Sequence, residues 1–264
     1  MQFSAPSFRK GRAFLLLQVT LWNTSAGGAF APPFRLLSSY RGEQTTRFMS
    51  SSTDLDDMRQ RKQEFRKQIR AKVRELKQEE TMAQSMEVWE RVYKLPSYQA
   101  AKSVGLFLSM PKGEINTDPI LQHAIQNGKD VFVPQVGKDF EMCDMNLVKV
   151  IVGDPNSQEI FHESWPRNKW QIPEPPADMP IVNAKPGDID LLLVPGLAFD
   201  LKRNRLGQGK GYYDRFIAKM TVNDTPLPLV AVGLTPQFVS DAEIPVDRYD
   251  KQMDMVIFPD KVIS

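Results

Sequence analysis

The stretch RLGQGKGYYDRF, Arg205–Phe216, packs three glycines, two arginines, a lysine, two adjacent tyrosines and an aspartate together. Two readings are open: a tight turn into a helix, or a cradle for phosphate. Glycines let an anion approach backbone amides at a helix start, where the helix dipole favours negative charge. Arg203, Arg205 and Lys210 add side-chain charge suited to a di- or triphosphate. The spacing Gly207, Gly209, Gly211 is G-x-G-x-G, which fails the dinucleotide pattern G-x-G-x-x-G. A P-loop needs Ser or Thr after its lysine, and Lys210 precedes Gly211. Glycine spacing alone therefore leaves both readings open. Asp214 lies four residues beyond Lys210, one helical turn away. An aspartate beside a phosphate is repelled unless a cation bridges them, as magnesium does with few carboxylates and phosphate oxygens. The plainer alternative is a Lys210–Asp214 salt bridge on a solvated helix face.

Other chemistries find little support. The two histidines, His123 and His162, stand in no motif, so neither a Ser-His-Asp nor a histidine–metal mechanism is indicated. The single cysteine, Cys143, excludes an internal disulfide and a cysteine cluster, and reads as a small buried apolar residue. Phosphoryl transfer needs positioning and charge neutralisation more than a protein nucleophile, and the residues at hand suit it.

The elements that must hold this stretch follow from periodicity. IDLLLVPG, just upstream, is a near-continuous apolar run, as in a strand buried on both faces. GYYDRFIAKM reads as a helix, so the glycines link a strand exit to a helix start. SVGLFLSM, DVFVPQV, LVAVGL and the closing MDMVIF read as further strands, and DPILQHAIQNG as a helix opened by Asp118–Pro119 and ended by Gly128. Residues 54–95 read as helix capped at Asp54, with Phe65, Ile69, Val73 and Leu76 as a narrow apolar stripe on a charged rod, then a second helical stretch before Pro96. Residues 153–186 are Pro-rich and patternless, an ordered functional loop around WQIPEP. The expected fold is α/β, a single domain with a mostly parallel central sheet flanked by helices, plus a charged N-terminal helix and a Pro-rich loop. Ligands of such sheets bind beyond the carboxyl ends of the strands.

Residues 1–53 differ from the rest. They hold six basic residues and one acid, out of 34 basic and 32 acidic in the chain, leaving 28 and 31 in residues 54–264. The body is thus slightly acidic, which argues against a nucleic-acid partner. Arg9, Lys10 and Arg12, the apolar AFLLLQVTLW, small residues in TSAGGA and an acid-poor Ser/Thr/Arg stretch have the character of a targeting presequence. The join GGAFAPP resembles the bipartite plastid presequences of algae with secondary plastids. Plastid import is the expectation, with the mitochondrion as second choice. No apolar run approaches the roughly 20 residues needed to span a bilayer.

PGLAFDLKRNRLGQGKGYYDRF closely resembles the signature of the 5-formyltetrahydrofolate cyclo-ligase family, also called 5,10-methenyltetrahydrofolate synthetases. VGLFLSMPKGEINT, WQIPEP and IPVDRYDKQMDMVI resemble three further family segments, in the right order over roughly residues 60–260. The resemblance implies ATP- and magnesium-dependent conversion of 5-formyltetrahydrofolate to 5,10-methenyltetrahydrofolate, by phosphorylation of the formyl oxygen and ring closure. It places Lys62, Arg66 and Arg205, Leu206, Gly207, Gln208, Gly209, Lys210, Gly211, Tyr212 and Tyr213 at ATP. Lys210 and Arg205 would serve catalysis. Leu108, Glu114, Gln208, Gly209, Lys210, Gly211 and Tyr212 would border the folate, with Asp214 and Asp254 on magnesium. A monomer is expected. Two departures stand out: Ser109–Glu114 is one residue longer, through MPKG, and position 208 is glutamine where an aromatic or basic residue is common. Trp170 either staples the proline loop or lines the folate site. The rival readings are a non-catalytic folate or nucleotide regulator, and a sugar-phosphate isomerase or CoA-transferase relative on the same broad fold.

Overall fold

A computed structural model describes residues 52–137, 144–151, 162–176, 179–240 and 243–264. Residues 1–51, which make up nearly all of the expected leader, Cys143 and part of the Pro-rich segment lie outside the described residues. All the described residues belong to one compact unit, Phe48–Ser264.

The chain opens with helices α1 (Ser52–Arg74), α2 (Gln78–Tyr93) and the short α3 (Pro96–Ala100), then β1 (Ser103–Gly105), α4 (Asp118–Gln126), β2 (Asp130–Val136) and β3 (Met145–Lys149). It continues through β4 (Leu191–Val194), β5 (Ala198–Asp200), β6 (Arg205–Leu206), α5 (Tyr212–Met220), β7 (Leu229–Val232), β8 (Phe238–Val239), β9 (Met255–Ile257) and β10 (Val262–Ile263). The main sheet has seven strands in the order β10-β9-β7-β4-β1-β2-β3. Its five inner strands pair in parallel, and β3 and β10 close the edges antiparallel. A small sheet, β6-β5-β8, stands beside it.

β4 shows why the apolar run had to be central. Leu191 and Leu193 enter one core, with α2's Trp89 and α4's Ile120; Leu192 and Val194 enter the other, with α5's Phe216 and Ile217. Burying both faces removes any need for polar alternation. The stripe on α1 also packs as expected, with Ile69 and Val73 buried and Phe65 and Leu76 half-buried against the core. Its period continues to Met58 and to one charged residue, Lys62, both buried.

Local differences have local causes. α1 begins at Ser52, so Asp54 lies inside the first turn. A three-residue break, 75–77, separates α1 from α2, and Pro96 starts a helix of its own because proline suits a first turn. β3 lay in a stretch without clear alternation, and β10 adds a strand after the one expected to close the chain. The β5–β6 hairpin was hidden inside the basic stretch before the glycines.

Candidate active site

The chain runs outward from β1 to β2 in one direction and returns to β4 on the other side of β1. Sheet order thus reverses between β1 and β4, and ligands bind outside the carboxyl ends at such a point. A cavity of about 880 Å³ lies there. Phe107 and Leu108 enter it after β1, Pro134 and Val136 from β2, and Pro195, Gly196 and Leu197 after β4. Arg70, Val73 and Arg74 of α1 form another wall, and Trp170, Ile172 and Pro173 bring in the proline loop.

That loop is folded by Asn168, which sequence reasoning missed. Its side-chain oxygen accepts the amides of Trp170 (2.9 Å) and Ile172 (3.2 Å), and its nitrogen donates to Glu174 (3.0 Å). An Asn bonding its own backbone two residues on is a turn former, so the signal was present in RNKWQIPE. Trp170 lines the cavity.

The glycine stretch borders the same cavity. Gly209 (φ 108°) and Gly211 (φ 70°) take left-handed backbone that side chains resist, and Gly211 caps α5. The turn feeding it is set by buried Asp200, whose Oδ1 accepts the Lys202 and Asn204 amides (both 2.9 Å) and whose Oδ2 accepts the Ile244 amide (2.9 Å). Gly207, Gln208, Lys210, Gly211, Tyr212, Tyr213 and Asp214 line the cavity. Lys210 is exposed, and no carboxylate among the described residues pairs with it.

Asp214 pairs instead with Arg205, so the i, i+4 salt bridge is replaced by a buried one. Arg205 Nη2 donates to Asp214 Oδ2 at 2.7 Å, with the arginine side chain 4% exposed. The Lys251 amide donates to Asp214 Oδ1 (3.2 Å). Arg205 Nε is a buried donor without a partner, beside the ring of Tyr213. Tyr213 is half-buried, packs on both cores and has its phenol pushed up by burial.

Glu114 is brought to the cavity despite the longer MPKG turn. Gly113 (φ 82°) absorbs the extra residue, and the Met110 amide donates to Glu114 Oε2 at 3.0 Å. Burial pushes the Glu114 carboxyl up to about 7, against the lowering pull of that amide.

Five expected residues do not line the cavity: Leu206 is buried in the core, Gly209 shapes the glycine turn, and Lys62, Arg66 and Asp254 are engaged elsewhere. Lys62 is buried, and its ammonium donates to Asp247 (2.9 Å) and Asp250. Arg66 clamps the glycine loop from behind, with Nε donating to the Gly207 carbonyl at 2.9 Å. Arg70, one turn on, donates to Gln208 at 2.8 Å, which gives the unusual glutamine a local role. Asp254 is held at the far end of the sheet. Its Oδ2 accepts the amide of Leu229 (2.7 Å), at the start of β7, and it does not line the cavity as Asp214 does. The structure therefore does not gather the two expected magnesium aspartates on one cavity wall.

The residues present fit a polyphosphate: backbone amides at the start of α5, and, among the described residues, a Lys210 without a carboxylate partner and an Arg205 Nε without an acceptor. They fit magnesium through Asp214, since that ion needs only one or two carboxylates beside phosphate oxygens.

An α/β sheet with a glycine loop and an apolar cavity at its switch point is the arrangement in which doubly wound folds bind their ligands. The sequence pattern of the 5-formyltetrahydrofolate cyclo-ligase family matches residues 58–259, and the chain belongs to that family. It is 34% identical to a probable 5-formyltetrahydrofolate cyclo-ligase of Schizosaccharomyces pombe, over 69% of this chain and 86% of that protein. It is 27% identical to the 5-formyltetrahydrofolate cyclo-ligase, mitochondrial, of Arabidopsis thaliana, over 88% of this chain and 86% of that one. The solution structure of Aquifex aeolicus 5,10-methenyltetrahydrofolate synthetase matches 76% of this chain and 91% of its own, with a TM-score of 0.60 and 27% identity.

Proposed function

We propose that the protein converts 5-formyltetrahydrofolate to 5,10-methenyltetrahydrofolate with ATP and magnesium, releasing ADP and phosphate. The observation that carries this is the meeting, in one cavity, of a glycine loop with an uncompensated lysine and an apolar wall bearing the half-buried Glu114 carboxyl. A formyl oxygen is a poor leaving group, and its attack on the γ-phosphate makes it a good one. The neighbouring folate nitrogen then closes the ring as phosphate departs.

In this reading the chain's task is alignment and charge neutralisation. Residues 205–213 hold the phosphates through α5's first amides, and Lys210 steadies the transferring phosphoryl. Arg205 supplies charge and orients Asp214. Asp214 would hold magnesium, which would supply neutralisation of phosphate charge. Glu114, as the carboxylate, accepts from the pterin's amino and ring donors. Leu108, Trp170 and Tyr212 give the flat ring system apolar surface. Arg66 acts through Gly207 and Lys62 through Asp247 and Asp250. The leader is proposed to direct the chain to an organelle. The mitochondrial name of the Arabidopsis relative raises that compartment beside the plastid, and imaging a fluorescent fusion of residues 1–53 decides between them.

The direct test is the near-ultraviolet absorbance of 5,10-methenyltetrahydrofolate, which the 5-formyl substrate lacks. Purified protein should generate it only with ATP and magnesium present. Absence of the band under those conditions would remove this function.

A further inference from the structure

Ring closure moves a proton for which the proposed chemistry names no acceptor. The attacking folate nitrogen carries one hydrogen, and in the closed ring it carries none. A base positioned to take such a proton contributes roughly 10²–10⁴-fold in rate.

The cavity narrows the choice of base. Neither His123 nor His162 lines it, and its lysines and arginines are donors. Its carboxylates, among the described residues, are Glu114, Glu174 and Asp214. Asp214 is held by Arg205 and the Lys251 amide, beside the glycine loop. Glu114 is given to the pterin in the proposed function. Glu174 is left without a task.

Yet Glu174 is firmly placed. It enters the cavity on WQIPEP, between Pro173 and Pro175, both buried. Its amide donates to the Pro166 carbonyl at 2.8 Å, and Arg167 faces Pro173 in a short antiparallel bridge. Its Oε1 accepts Asn168 Nδ2 at 3.0 Å, from the side chain whose oxygen also fixes the Trp170 and Ile172 amides. That bond orients the carboxylate and leaves Oε2 open to a further donor. The side chain is half-buried, and no lysine or arginine among the described residues pairs with it. An oriented carboxylate with one oxygen to spare, in a largely apolar cavity, suits the receipt of a proton.

We infer that Glu174 is the general base of ring closure and takes the proton of the attacking folate nitrogen. After phosphorylation, the formyl carbon is doubly bonded to the nitrogen that bears it. The lone pair of the attacking nitrogen forms the new bond to that carbon, and the double-bond pair withdraws onto the formyl-bearing nitrogen. The proton passes from the attacking nitrogen to Glu174. The carbon–oxygen bond then breaks, phosphate leaves with its electron pair, and a nitrogen lone pair restores the double bond. Glu174 returns the proton to water. The inference rests on the proposed function, because it needs the phosphorylated formyl group.

Glu174→Gln is the informative variant. Its amide oxygen can still accept Asn168, so the turn keeps its lock while the basic oxygen is lost. Single turnovers of the full chain with 5-formyltetrahydrofolate, ATP and magnesium should be followed by ADP and by the near-ultraviolet band together. In the wild type the two should rise in step. In Glu174→Gln, ADP should form as in the wild type while the band slows by roughly 10²-fold. A residue that only holds the turn would slow both alike, and that result overturns the inference. So does a variant with wild-type traces, or one with a raised folate KM and unchanged kcat. Glu174→Ala gives a second reading, because it removes the base and leaves room for a small one. Added formate should speed its band without altering ADP formation, and formate that changes neither would again overturn the idea. Wild type that yields neither ADP nor the band sinks the proposed function, whereas normal wild type beside an unaffected Glu174→Gln sinks this inference alone.

Discussion

At the entry ends of the parallel strands, Asp190 and Asp254 each stand one residue before a strand, β4 and β9. Asp190 Oδ2 accepts the amides of Lys102 and Ser103, at the start of the neighbouring β1 (2.8 and 3.0 Å). Asp254 Oδ2 accepts that of Leu229, at the start of the neighbouring β7. At the exit ends, Asp214 holds a buried arginine as well as an amide, and Asp247 and Asp250 hold a buried lysine. These two entry-end carboxylates are occupied by the fold's own first amides, whereas Asp130, at the start of β2, is exposed and pairs with Lys149. Asp214, which lines the cavity, and Asp247 and Asp250 are balanced against buried cations; under the proposed function a phosphate or magnesium would enter that balance. Sequence proximity to a motif does not separate these cases; the partner's charge does.

Lys210→Ala tests the exit end most severely. A pre-organised charge at a transferring group is worth roughly 10²–10³ in rate, so kcat should fall by that factor with the folate KM little moved. Near-normal kcat with a raised ATP requirement would make Lys210 a binding residue only.

Asp214→Asn should destabilise as well as impair, which a surface aspartate would not. It strands a buried guanidinium, and breaking such a pair costs about 3–5 kcal/mol. Denaturant titration measures this, and an unchanged midpoint would dissolve the contrast with Asp254.

Glu114→Gln should raise the folate KM roughly 10- to 100-fold, the worth of hydrogen bonds to a charged group. In the wild type that KM should rise as pH falls below about 7, where Glu114 gains its proton, and the variant should lose this dependence. Stability runs the other way. A folded-state pKa raised by burial favours the fold below the unfolded value and loses that advantage as pH rises through about 7. The ligand-free variant should therefore melt higher than wild type at alkaline pH, with the gap closing in acid. A constant gap would place the carboxyl elsewhere.

Asp254→Asn should cost only about 1 kcal/mol of stability, one hydrogen bond's worth, with the magnesium requirement unchanged. A magnesium requirement raised as in Asp214→Asn would return Asp254 to the metal. Asp190 offers a matched control. Burial pushes its carboxyl up, but the Lys102 and Ser103 amides outweigh this and hold it below the usual range. Its contribution is present above the unfolded pKa and lost as pH falls through the folded one, so Asp190→Asn should flatten the acid limb of stability without touching activity. Removing residues 1–51 should have the smallest effect, leaving kcat and both KM values in place.

Much of this was legible in the chain. The two-faced strand β4, the glycine-capped α5 and the stripe on α1 each follow from local pattern, and the exit-end rule located the cavity. Lys62 and Asp254 were harder, because their partners lie far along the chain. Nothing near Lys62 announces Asp250, and nothing near Asp254 announces the Leu229 amide. Asn168 and Asp200 were readable as turn formers, but only the fold shows what their turns support.

The clamp behind the glycine loop has a consequence for how the protein comes into being. Lys62 meets Asp250 across 188 residues, and Arg66 meets Gly207 across 141. Contacts of such long separation close late, since the intervening chain must first be ordered. During vectorial synthesis α1 emerges well before the turn that it meets. A nascent chain stopped before Asp247 therefore carries the whole glycine loop and yet lacks the turn that Lys62 holds, so the proposed nucleotide binding should arise only once that turn has been made.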